Sequence, residues 1–100
     1  MRHELGSQAQ ADLSDAAKWY EHKRPGLGGD FLAAVFEGID AIAAHPMAWA
    51  LWPDTGTMTP PIRRFPLARF PYAVAYRVFA DHVYVVSIVD TRRDPKAWIR

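Results

Sequence analysis

The arginines of the C-terminal half carry the chemistry this sequence most readily offers. Arg63 and Arg64 are adjacent, Arg77 follows, and Arg92 and Arg93 stand near the end. A guanidinium presents its donors as a planar fork, a shape that matches phosphate or carboxylate. A plainer reading also exists: surface solubility, with internal pairing to Asp90 or Asp94. Spacing alone favours the plainer one. Other chemistries are poorly provided for. "PGLGG" follows a helical pattern rather than a strand, so it reads as a turn and not a phosphate loop. His3, His22, His45 and His82 lack metal-ligand spacing, and no metal or cofactor is expected. Ser7, Ser14 and Ser87 sit in no nucleophile-elbow context. Ser87 reads as a small core-facing residue in mid-strand. Asp12, Asp15 and Glu21 read as the solvated face of a helix.

Composition narrows the class. The 100 residues suit a single domain spanning 1–100, and half of them are apolar, enough for a packed core. Cysteine is absent, which removes disulfides, thiolate metal sites and cysteine catalysis. A net charge of +1 argues against a broad nucleic-acid-coating surface. The charge is uneven, because seven Arg or Lys stand between Ile62 and Arg100 against three Asp. No signal peptide or membrane span is visible, so a soluble, cytoplasmic protein is expected.

The elements that must position these arginines follow from periodicity. "MRHELG" suits one short strand. "SQAQADLSDAAKWYEHKR" reads as a helix, with Ser7 and Gln10 spaced for a capping box and Leu13, Ala16, Ala17 and Tyr20 as its apolar stripe. Proline and three glycines in "PGLGG" should interrupt it. A second helix is expected over about 29–44, burying Phe31, Val35, Ile39 and Ile42, with Leu32 and Phe36 beside that face. His45-Pro46 closes it. The two should form an antiparallel hairpin.

The stretch "MAWALWPDTGTMTPP" is too rich in proline, glycine and threonine for a regular element. Trp49 and Trp52 would pack it against the domain. "IRRFPL" is a strand. Phe70, Tyr72, Val74, Tyr76 and Val78 then alternate with smaller or polar neighbours, giving a strand with one large-residue face. After "ADH", "VYVVSIVD" is the run of a central strand. The expected fold is α+β: an N-terminal helical hairpin packed on one face of a three- to four-stranded, mainly antiparallel sheet. In such a meander Arg64 and Arg92 belong to opposite ends of the strands. The sheet face left bare by the helices is where some arginines could gather.

With these pieces in order, the chain resembles the ParE/RelE superfamily of toxins from type II toxin–antitoxin systems. The matching pieces are "ADLSDAAKWYEHKRPGLGGDFLAAV", "IAAHP", "IRRFPLARFPYAVAYRV" and "TRRDPKAW". In such proteins the last strand often ends in His-x-Arg-Arg-x-Pro-x-x-Trp. Here Asp90 replaces the histidine, and Trp98 would pin the tail to the sheet. The resemblance implies a growth-inhibiting toxin, associated with plasmid stabilisation and silenced by a cognate antitoxin.

Two branches differ in target. The RelE-like branch cuts messenger RNA on the ribosome with sheet-face cations, and the ParE-like branch poisons DNA gyrase without catalysis. As a ribonuclease this chain would rely on Arg64, Arg77 and Arg92. Trp98 stands where the ribonuclease tyrosine is expected, Ala73 where a sheet arginine is common, and no base is evident. The ParE-like reading is therefore preferred, with Arg63, Arg64, Arg92 and Arg93 contacting the target. Trp19, Leu32, Phe36, Trp49 and Trp52 are the candidate antitoxin anchors, each with core packing as its alternative. The remaining possibility is an inactive interaction module.

Overall fold

The computed structural model describes residues 1–93. These form, in chain order, β1 (Arg2–Leu5), α1 (Ser7–Lys23), α2 (Leu27–Ala44), β2 (Ile62–Pro66), β3 (Tyr72–Val78) and β4 (His82–Asp90). The strands lie in the order β1-β4-β3-β2. β2, β3 and β4 make the antiparallel meander, and β1 joins its far edge parallel to β4, with Arg2 opposite His82. The α+β reading therefore holds, and "VYVVSIVD" is a central strand.

The helix stripes explain the packing. Phe31, Val35, Ile39 and Ile42 recur at helical spacing and are all fully buried. Ala9, Leu13, Ala16 and Tyr20 do the same for α1. Both stripes meet Val74, Tyr76, Val83, Val85 and Ile88 of the sheet in one cluster. At one end of it, Phe31 touches Tyr20, Phe70 and Tyr72, with ring centroids 5.1–5.2 Å apart. A bulge between β3 and β4 shifts the register, pairing Ala75 with Ser87 but Tyr76 with Val85. The extra residue lets Val83, Val85 and Ile88 all face the helices despite their uneven spacing.

Several local expectations are corrected. α1 is capped by Gly6, without a side-chain cap bond, so Ser7 and Gln10 form no capping box. Gln10 instead reaches back, its Nε2 donating to the Leu5 carbonyl at 3.0 Å. The "PGLGG" break is shorter than its glycines imply, since α2 starts at Leu27 rather than residue 29. Gly26 supplies the turn with φ of 90°, a conformation costly for other residues. Gly28 lies inside the helix because α1 passes too close for a side chain. A Cβ there would sit 2.6 Å from the Ala17 carbonyl oxygen.

Neither Asp12 nor Glu21 belongs to an idle solvated face. The Glu21 carboxylate accepts from the Gly26 and Gly28 amides at 3.0–3.1 Å, satisfying the open N-terminus of α2. Those amides hold its carboxyl below the ordinary value. Asp12 Oδ2 accepts from Ser87 Oγ at 2.6 Å and from the Ile88 amide at 3.1 Å. Pairing between β1 and β4 ends at Leu5 and Val85, so α1 takes over that edge of β4 and Asp12 supplies the missing acceptor.

Two stability predictions arise here. Gly28→Ala should destabilise the protein by about 2 kcal/mol, seen as a lower urea midpoint. Overpacking against a backbone carbonyl outweighs the roughly 1 kcal/mol gained in helix propensity. An unchanged midpoint would mean the helices separate freely. The second concerns Tyr76, which is fully buried and donates to the Pro46 carbonyl at 2.7 Å. Burial pushes its phenol up to about 12. The unfolded chain loses this proton near pH ~10, so between about pH 10 and about pH 12 the native state holds the extra proton. Stability from this group is complete below that window and lost across it, roughly 2–3 kcal/mol in all. Tyr76→Phe should show a shallower alkaline decline in urea midpoint than the wild type.

Candidate functional site

The sheet face away from the helices is not bare. Ala73, Ala75, Ile62 and Val89 on that face are buried beneath Trp52, with Met58 beside them. The expectation of a sheet face left bare for arginines is corrected: the small residues of β3, Ala73 and Ala75, are buried there by the 47–61 segment. That segment stays irregular apart from a single bridge between Leu51 and Arg63. It is fastened by Thr55, whose buried hydroxyl lies 2.8 Å from the Trp52 carbonyl and 3.0 Å from that of Ile62.

This arrangement sorts the arginines. Arg63 donates through Nη1 to the Trp49 carbonyl at 2.7 Å. Arg77 donates to the Pro60 and Thr59 carbonyls at 2.9 and 3.1 Å and lies over the Phe79 ring. Arg92 makes a forked pair with Asp90, Nε to Oδ1 at 3.0 Å and Nη2 to Oδ2 at 2.8 Å. The Arg92 fork holds the Asp90 carboxyl below its ordinary value. On the helix side of this pair stand Tyr20 and Tyr72, whose phenols burial pushes upward.

Arg64 and Arg93 are placed differently. Together with Trp52, Val89, Asp90 and Thr91 they line a shallow groove of about 100 Å³. Arg64 sits over the Trp52 indole, 5.7 Å from the ring centroid, a stacking that orients the guanidinium without using its donors. Arg64 and Arg77 both stem from the groove face of the sheet, yet Arg77 lies near the start of β2 and Arg93 beyond the end of β4. The structure thus brings Arg64 and Arg93 to one groove and leaves Arg63, Arg77 and Arg92 apart from it. Sequence reasoning missed Thr91 and Val89, whose placement depends on β4 continuing to Asp90. Asp94 and Trp98 lie outside the described residues.

The proposed anchors also separate. Trp19 and Phe36 are 47% and 39% exposed on the hairpin, and Lys23 Nζ stands 4.7 Å from the Trp19 ring centroid. Leu32 is half-buried. Trp49 packs edge-on against Phe65, ring centroids 4.7 Å apart. Trp52, 3% exposed, takes its core-packing alternative: it packs on the second sheet face, and only its margin borders the groove. Among the described residues no group of His, Asp or Glu is arranged to hold a metal, and no helix is long and apolar enough to cross a membrane.

A helical hairpin on a short mixed sheet is a frame found among solved structures. A chain from the chromosomal ParDE TA system from P. aeruginosa superposes with a TM-score of 0.71 at 19% identity, covering 90% of this chain and 95% of that one. That likeness shows the fold. The family model described as ParE toxin of type II toxin-antitoxin system, parDE, matches residues 4–95. The chain belongs to that family. No curated protein matches the sequence.

Proposed function

We propose that this chain inhibits bacterial growth by binding DNA gyrase and that a cognate antitoxin holds it silent. The observation that carries a binding role over a cleaving one is the dispersal of Arg64, Arg77 and Arg92. Cleavage of RNA through its 2′-hydroxyl needs cations converging on one phosphate and a base beside them. Here Arg77 is held by the Pro60 and Thr59 carbonyls, Arg92 by Asp90, and Arg64 lies over Trp52. Of the four arginines assigned to the target surface, Arg64 and Arg93 carry the contact. Arg63 and Arg92 support the loop and the end of β4. The antitoxin anchors on Trp19 and Phe36, with Leu32 at their margin. Such an apolar strip on a hairpin suits a segment that folds on contact.

The test uses toxin purified away from its antitoxin. Increasing concentrations should inhibit gyrase supercoiling or trap cleaved DNA. A clean assay across a wide range removes gyrase as the target. Messenger RNA cleavage on translating ribosomes, lost in Arg64→Ala or Arg92→Ala, would replace this reading with the ribonuclease.

A further inference from the structure

The groove between Arg64 and Arg93 has a size, a lining and a charge that together specify what enters it. At about 100 Å³ it is smaller than the roughly 300–1,000 Å³ of pockets that enclose a whole small molecule. It has room for one side-chain head. Val89 and Trp52 give it an apolar lining, with Thr91 beside them. Among the described residues, neither Arg64 nor Arg93 spends its side-chain donors on a protein acceptor, unlike Arg63, Arg77 and Arg92. The nearby Asp90 carboxylate is already paired with Arg92. Two unspent forks beside an apolar lining form a receptor for a carboxylate carried on a short methylene stem.

We infer that this groove seats an acidic side chain from a glutamate- or aspartate-rich segment of a protein partner. Nucleic acid fits less well. Affinity for a phosphate backbone comes from a run of phosphate contacts, and here the neighbouring cations Arg77 and Arg92 are engaged elsewhere. The assignment deepens, and rests on, the reading of this face as the target-contacting surface.

The test is a titration of the isotope-labelled full chain, without gyrase or antitoxin, followed by nuclear magnetic resonance. Hexaglutamate should shift the Val89 and Thr91 amides, the Trp52 indole N–H and the Arg64 Nε–H, and the affinity should fall as salt rises. Arg93→Ala, at an exposed position that keeps the fold intact, should weaken binding about tenfold. The Arg64→Ala/Arg93→Ala pair should abolish it, with Arg2→Ala unchanged as a control. The inference fails if shifts map elsewhere, if Arg93→Ala binds like the wild type, or if inorganic phosphate or oligothymidylate binds as tightly as the peptide. Peptide binding with a clean supercoiling assay keeps the groove and removes gyrase; inhibited supercoiling without peptide binding does the reverse.

Discussion

Phe31→Ala is expected to lower the unfolding free energy by about 3–5 kcal/mol, the usual cost of emptying a buried aromatic site. Phe31 is fully buried, and three other rings close around it: Tyr20 from α1, Phe70 before β3, and Tyr72 within it. Each contact joins α2 to a different segment, so truncation opens a cavity that no single neighbour can fill. For a domain of this length the melting temperature should fall on the order of 20 °C. Total stabilities of about 5–15 kcal/mol leave little beyond that. Thermal melts followed by circular dichroism will check it, with Phe31→Leu expected to cost about half as much. A loss under about 1 kcal/mol would mean the hairpin is held by its lower stripe and not by this ring cluster.

The second large effect is expected at Asp12, a charged residue that hydropathy would place in water. Asp12→Ala removes the acceptor of the Ser87 hydroxyl and the Ile88 amide, along with the Gln8 side-chain bond at 2.7 Å. Ser87 is 4% exposed, so its hydroxyl has no ready replacement from solvent. Stranded donors of this kind cost about 1–3 kcal/mol, and bonds to a charged acceptor lie at the upper end. A loss of about 3 kcal/mol is therefore expected, with faster hydrogen exchange at the Ile88 amide. Asp12→Asn keeps the shape and one carbonyl oxygen and should lose about 1 kcal/mol. Equal losses in both variants would show that charge, not occupancy of the acceptor site, is what β4 requires.

These two residues mark where the fold was readable from residue order. Phe31 announced itself, because Phe31, Val35, Ile39 and Ile42 repeat at the helical period and the family-like "PGLGGDF" precedes them. The strands were legible from their period of two, but the alternation that set Arg64 and the Arg92–Arg93 pair at opposite strand ends did not foresee that Arg64, opposite Ala75, shares a groove with Arg93. Asp12 could not be read, since its partner lies 75 residues away and arises from the edge where β1 stops pairing. Trp52 was read as packing its loop against the domain, but the residues it covers were not legible. Nothing in "MAWALWPD" states that it folds over Ala73 and Ala75 instead of presenting its indole outward.

The arginines show the same boundary. Their attraction to acceptors was evident, but whether each acceptor is a backbone carbonyl, Asp90 or an outside partner depends on the path of the 47–61 segment. That path is set by long-range bonds such as Trp52 N–H to the Ile62 carbonyl at 2.7 Å. The groove was therefore hidden at the level of sequence, although two of its six lining residues had been singled out as target contacts and Asp90 as an arginine partner.

The parallel pairing of β1 with β4 sets an order of assembly. α1 and α2 come together from neighbouring sequence, but Arg2 meets His82 across most of the chain. Synthesis at about 5–20 residues per second separates the end of α2 from the end of β4 by roughly 2–9 s. During that interval the nascent polypeptide carries a hairpin whose apolar stripe has no sheet to rest on. The cationic groove forms last, because it needs the 47–61 segment, β2 and the end of β4 together. A freshly made molecule thus exposes its helical hairpin before the groove lined by Arg64 and Arg93 exists.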